Sequence, residues 1–134
     1  MYKGSCLCGE ITFEIDGGID SIICCHCSLC RKASGSAYAA NGFVDTAAFS
    51  ITGGESLLGS YQSTPGRYRR FCTGCGSPIF STNEQDPDRI RIRVGVIDSD
   101  IAERPISHNF VTSKANWDIL DAELPRYDAY EPGR

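Results

Sequence analysis

The sequence predicts one mainly β domain, and three observations carry that expectation. Apolar residues alternate with polar ones over short stretches, glycine- and proline-bearing turn signals recur at close intervals, and eight cysteines fall into tight local groups. No long helical period, internal repeat, low-complexity run or linker interrupts the chain, so residues 1–134 are read as a single domain. That length lies in the ~100–150 range where single domains are commonest. A chain of this size can bury roughly two-thirds of its unfolded surface, so it need not depend wholly on staples.

The elements follow in order. Glu10 to Asp16 alternates strictly, with Ile11, Phe13 and Ile15 on one face and Glu10, Thr12, Glu14 and Asp16 on the other, the pattern of a half-buried strand. Gly17-Gly18 ends it, and Ile19 to Cys25 is a second short apolar run. Ser28 is placed to cap a short helix through Ala33 that stops near Gly35. Ala37 to Val44 reads as a strand, and Asp45 as the cap of one helical turn before Phe49. Gly53-Gly54, Thr64-Pro65-Gly66 and Asp86-Pro87 mark turns between further short strands. Arg67 to Cys72 and Ser77 to Thr82 flank the last cysteine pair. Arg89 to Val96 alternates again, which puts Arg89, Arg91 and Arg93 on an expected solvent-facing strand face opposite Ile90, Ile92 and Val94.

Composition narrows the function classes. A hydrophobic fraction of 41% and a charged fraction of 22% are ordinary for a soluble globular domain. No apolar run approaches the ~20 residues of a membrane helix, so no membrane partner is expected. The start, Met1 to Cys6, has no apolar signal segment, and the expectation is a reducing, cytoplasmic compartment. A net charge of −4 argues against nucleic acid, whose phosphates call for a basic surface. Arg67, Arg69 and Arg70 with Arg89, Arg91 and Arg93 are read as a local cationic surface and not as a nucleic-acid track.

Cys6, Cys8, Cys24, Cys25, Cys27, Cys30, Cys72 and Cys75 are the anomaly. A disulfide inside C-x-C would close a very tight ring, whereas tetrahedral zinc accepts two sulfurs from one short loop. The compartment points to metal as well. Cys6 and Cys8 lie two apart before a strand, so both sulfurs can face one ion, and Cys72-Thr73-Gly74-Cys75-Gly76 looks like a zinc knuckle. Together these four form a closed structural site. Cys25-His26-Cys27-Ser28-Leu29-Cys30 supplies three more thiolates from six residues. Three protein ligands with an open fourth position suit catalytic zinc. The spacing equally permits a second structural site, completed by Cys24, His26 or His108. Cys24 is expected to be a buried apolar residue, since its neighbour on an extended segment faces the other way.

The order C-x-C-G (Cys6 to Gly9), C-H-C-x-x-C-R-K (Cys25 to Lys32) and F-C-x-x-C-G-S-P (Phe71 to Pro78) resembles the glutathione-dependent formaldehyde-activating enzyme family. The stretch His108 to Lys114 with Trp117, then Leu124-Pro125, resembles the family's ending. The resemblance implies a β-tent of short antiparallel sheets with one or two helical turns. It further implies two zinc ions per chain, a structural one on Cys6, Cys8, Cys72 and Cys75 and a second on Cys25, Cys27 and Cys30. The implied activity is that of a carbon–sulfur lyase forming and cleaving S-hydroxymethylglutathione from glutathione and formaldehyde.

The chemistry is consistent with that implication. Zinc with three thiolates carries a formal charge of −1, is a weak Lewis acid and suits a soft ligand such as a substrate thiol. Cys25, Cys27 and Cys30 are therefore the expected catalytic centre. Glutathione carries two carboxylates, which Arg and Lys recognise. Arg31 and Lys32 follow the third ligand, and Arg69 and Arg70 precede the knuckle. Of these, Arg31, Lys32 and Arg70 are taken as substrate-binding, with solvated surface charge the plainer reading of each singly. His26 should point away from the metal, His108 is read as a hydrogen-bonded packing residue, and Trp117 as core or pocket wall. Two other classes remain open: a non-catalytic thiol carrier, and an interaction module that uses both zincs for folding.

Overall fold

A computed structural model describes residues 1–134. Its strands are β1 (Tyr2–Ser5), β2 (Thr12–Ile15), β3 (Ile22–Cys25), β4 (Ala39–Asp45), β5 (Phe49–Gly53), β6 (Leu58–Thr64), β7 (Arg67–Cys72), β8 (Pro78–Asn83), β9 (Arg89–Arg93) and β10 (Pro105–Asn109). A single α-helix, α1 (Ser28–Ser34), lies between β3 and β4. Strands β1, β2 and β5 form a small sheet, and the rest form a seven-stranded sheet in the order β10-β3-β4-β9-β8-β7-β6. The mainly β expectation agrees with this topology.

The alternation read in the sequence explains how the sheets meet. Ile11, Phe13 and Ile15, from β2 and the residue just before it, are buried against Ile22, Val44, Ile79, Ile90 and Ile92 of the long sheet. Each such side chain, fully buried, contributes on the order of 1.5–3 kcal/mol. Phe49 bridges the layers, its ring centroid 5.5 Å from Phe13 and 4.9 Å from Phe80. Gly4 lets β1 lie close to β2, because a Cβ there would run into the Phe13 ring and the Val96 carbonyl.

Several expectations are adjusted. The helix is capped by Cys27 rather than Ser28: the Cys27 Sγ accepts the Cys30 N–H at 3.4 Å, so one sulfur turns toward both the helix start and Cys30. Gly35 closes the helix in the left-handed region, at φ 63. Strand β10 was not expected, and it pairs with β3 in parallel, whereas all other pairs are antiparallel. Its side chains are mostly exposed and carry no period-two signal. Trp117 is 69% exposed, so it is neither core nor pocket wall.

The main correction concerns β9. Ile90 and Ile92 enter the core as expected, but the opposite face is not open to solvent: Arg93 is 8% exposed and Arg91 is half-buried. The register explains why. Across the sheet, Phe43 sits opposite Arg91, Arg91 opposite Ser81, and Ser81 opposite Arg69, while Asn41 sits opposite Arg93. These side chains line one cleft, and Leu29 from α1, the neighbouring cysteines and Phe110 border the same space.

Candidate functional site

Two loops of similar build bring the first four sulfurs together. The Cys6 N–H donates to the Ile11 carbonyl at 3.0 Å and the Cys72 N–H to the Ser77 carbonyl at 2.9 Å, so each loop closes five residues after its first cysteine. In both, the glycine after the second cysteine is left-handed, Gly9 at φ 80 and Gly76 at φ 79, a conformation that a β-carbon would strain. The Leu7 N–H reaches the Ser77 hydroxyl at 2.8 Å and ties one loop to the other. The four sulfurs lie within 4.8 Å of one another, with Cys6–Cys8 at 3.5 Å and Cys8–Cys72 at 3.9 Å. Zinc–sulfur bonds of about 2.3 Å in a tetrahedron put sulfurs about 3.8 Å apart, so this set fits a metal ion. Acidity within it is split. The Ser77 hydroxyl and N–H hold Cys75 down at about 5, while Cys8, despite the Glu10 N–H, is pushed up to about 12 by the Cys6 sulfur, burial and the other two thiols. Four thiolates at such range need a cation among them.

The second group stands at the end of β3 and the start of α1. Cys25, Cys27 and Cys30 also place their sulfurs within 4.8 Å of one another. Burial first, then the Cys30 and Cys27 sulfurs, push Cys25 up to about 12. Cys27 is held below the usual thiol range: burial would raise it, but the Cys30 N–H and the neighbouring thiols outweigh that. Three sulfurs so placed fit a metal with a further position to fill.

Neighbouring side chains turn elsewhere. Cys24 is 4% exposed and faces Tyr38 rather than the triplet, and burial raises its thiol. His26 is fully buried on the far side, its Nε2 2.9 Å from His108 Nδ1 and its Nδ1 3.8 Å from Asp118 Oδ2. The parallel register of β10 makes this possible by setting His108 beside Cys24 and Asn109 beside Cys25. None of Cys24, His26 or His108 joins the three-sulfur group.

The triplet borders a cleft of about 520 Å³. Arg67, Arg69, Arg91 and Arg93 line it, and the Arg69 guanidinium comes within 4.0 Å of the Cys30 sulfur. Arg93 donates to the Ser81 hydroxyl at 3.4 Å and the Arg91 carbonyl at 3.1 Å. Burial, then the nearby Arg69 charge, pull its pKa down to about 10.

Of the residues considered from sequence as carboxylate partners, Arg69 lines this cleft, while Arg31, Lys32 and Arg70 do not. Arg31 and Lys32 occupy the last turn of α1, where their charge complements the helix end. Arg70 donates to the Gly59 carbonyl at 3.1 Å and lies over the Phe80 ring, bordering a smaller cavity of about 190 Å³. The sequence groups the cleft arginines in one basic cluster, but their place beside the triplet depends on the order β9-β8-β7. A faint signal existed: Arg67 and Arg69, like Arg91 and Arg93, are two apart and so share a strand face.

Comparison with known proteins places this geometry in context. Residues 1–113 match the family described as glutathione-dependent formaldehyde-activating enzyme. A Halomonas elongata protein that bears the same family name is 30% identical over 126 residues, which cover 87% of this chain and 79% of that relative. A crystal structure of a Rhodobacter sphaeroides protein superimposes with a TM-score of 0.65 at 21% identity, covering 79% of this chain and 98% of that one, a likeness of fold alone.

Proposed function

This chain belongs to the glutathione-dependent formaldehyde-activating enzyme family, and from that premise we propose that it is a zinc-dependent carbon–sulfur lyase that forms and cleaves S-hydroxymethylglutathione. The observation that carries the proposal is the contrast between the two sulfur groups. Cys6, Cys8, Cys72 and Cys75 make a four-sulfur set held by two cross-tied loops. Cys25, Cys27 and Cys30 offer only three sulfurs and border a cleft large enough for a small ligand. The first set is proposed as the structural zinc site and the second as the reactive one.

Zinc held by Cys25, Cys27 and Cys30 would supply a positive charge that favours a substrate thiol in its thiolate form. The chain's own part is to bind and orient. The Cys30 N–H fixes the Cys27 sulfur, and Arg69 reaches the Cys30 sulfur, so the triplet is held from two sides. In the forward direction the glutathione sulfur bonds to the formaldehyde carbon and the carbonyl electron pair moves to oxygen. The proton given up by the thiol ends on that oxygen, and the reverse step breaks the carbon–sulfur bond. This reading assigns the protein to a reducing, cytoplasmic setting, where glutathione is abundant and thiols stay reduced.

The turning of Cys24 and His26 away from the triplet favours an open site over a second structural one. The test is exchange spectroscopy on an equilibrium mixture of glutathione and labelled formaldehyde, with and without zinc-loaded protein. Faster exchange that disappears in Cys27→Ser is the expected result, and unchanged exchange with the loaded protein would overturn the lyase assignment.

A further inference from the structure

The cleft beside the triplet is lined by four guanidinium groups and by no carboxylate. Outside the cleft, Arg89 pairs with Asp86 at 2.9 Å and Arg134 with Glu131 at 2.7 Å, while Arg70 and Arg104 bond backbone carbonyls. Arg67, Arg69, Arg91 and Arg93 form no ion pair. They are also close neighbours on the sheet, since only Ser81 separates Arg69 from Arg91 across the register. Like charges gathered on a half-buried face oppose folding unless something negative offsets them. A zinc ion with three thiolates would carry one net negative charge and Asp86 favours the charged form of Arg91, so the cleft still holds more positive charge than these groups offset.

Two further features point to a ligand. Asn41 is 4% exposed, borders the cleft opposite Arg93, and its Oδ1 has no hydrogen-bond partner. A buried acceptor left unpaired costs about 1–3 kcal/mol, a cost that an incoming N–H removes. Phe110 is the one non-glycine residue with positive φ, at 58, and its ring is 65% exposed at the border of the same cleft. Such strain on a large side chain is kept where the surroundings impose it, and it concentrates at binding sites. The Ser113 N–H bond to the Phe110 carbonyl at 2.9 Å and the Asn109 pairing with β3 impose it here.

We propose that Arg67, Arg69, Arg91 and Arg93 read the anionic groups of the thiol substrate, so that the cleft selects thiols bearing at least two carboxylates over neutral or singly charged ones. Asn41 accepts an N–H from the same molecule, and Phe110 packs against it at the mouth. This deepens the lyase reading and rests on it for the identity of the cleft as the substrate site. Arg31, Lys32 and Arg70 have no part in this recognition.

The test measures binding without chemistry. S-methylglutathione keeps both carboxylates but has no free thiol, and its dimethyl ester keeps the shape but loses both charges. Isothermal titration of the zinc-loaded protein should show the acid binding at least tenfold more tightly than the ester, about 1.4 kcal/mol. Arg67→Gln and Arg91→Gln should each weaken the acid and leave the ester unchanged, with melting temperatures near that of the unaltered protein. Equal binding of acid and ester, no binding of the acid at millimolar concentration, or full acid binding by both variants would each overturn the proposal. The outcome is separable from the lyase reading. Charge-dependent binding without faster exchange leaves the recognition standing and removes the activity, whereas faster exchange with charge-blind binding does the reverse.

Discussion

Replacing Cys72 by serine should unfold this domain, while the same change at Cys27 should leave it folded with one zinc fewer. The difference follows from what each site ties together. Cys8 and Cys72 meet across 64 residues of chain, and a cross-link of that span removes about 4 kcal/mol of unfolded-state entropy. Cys25 and Cys30 are five residues apart, and the same relation gives only about 2 kcal/mol. Cys72 is also fully buried within the core cluster, so its hydroxyl replacement adds a desolvation cost of about 1–3 kcal/mol. The total of about 5–7 kcal/mol matches or exceeds the lower part of the ~5–15 kcal/mol that holds a typical domain. Cys27 is half-buried at the helix cap, and serine there still accepts the Cys30 N–H as a good capping residue. The assay is zinc content by elemental mass spectrometry alongside thermal unfolding by circular dichroism. A soluble Cys72→Ser protein with unchanged melting would refute the reasoning, as would equal collapse of both variants.

Two further outcomes are expected. Cys24→Ala should retain the full zinc content and lose about 1 kcal/mol of stability from the small gap beside Tyr38; loss of one zinc equivalent in the elemental assay would mean that Cys24 is a ligand after all. Glu103→Gln should be destabilising near neutral pH, because the Glu103 carboxylate accepts the Ile19 N–H at 2.9 Å and the Tyr2 hydroxyl at 2.8 Å and is held below its ordinary range chiefly by the Ile19 N–H. A depressed carboxylate stabilises the fold above its unfolded value near 4.5 and ceases to do so as pH falls through the folded value. The melting gap between the two proteins should therefore be present at pH 7 and close in acid, and a gap that is constant with pH would count against the ionised hydrogen bond.

How much of the fold could be read from the chain depends on how local the signal is. The strand at Thr12–Ile15 and the core side of Arg89–Arg93 were legible because alternation states which side chains face inward. The helix Ser28–Ser34 was legible from its glycine stop, although its cap lay one residue earlier because the sulfur of Cys27 serves both the cap and the cysteine group. Strand β10 was not legible. Its side chains are mostly exposed, and it exists because β3 offers an open edge for parallel pairing, a condition no window of sequence contains.

The site divides along the same line. Local spacing brings Cys25, Cys27 and Cys30 together and forms each of the pairs Cys6–Cys8 and Cys72–Cys75, whereas joining those two pairs across 64 residues meant matching one half-site to the other. The arginine side was legible only as a basic cluster, because its members come from β7 and β9 and meet beside the triplet only with β8 between them. Reading the arginine face of β9 as solvent-facing applied a sound rule to a case it does not cover. Alternation separates a core face from its opposite, but it does not say what the opposite face meets. Where that face is covered by a helix, a cysteine loop and an aromatic side chain, polar residues facing away from the core become the floor of a cleft. Arg93 shows the consequence: a guanidinium buried without a carboxylate would be a liability in a purely structural strand. Beside the proposed metal–thiolate centre on Cys25, Cys27 and Cys30, and with a carboxylate-bearing substrate in the cleft, the same charge would have counter-ions, which is the reason to keep it there.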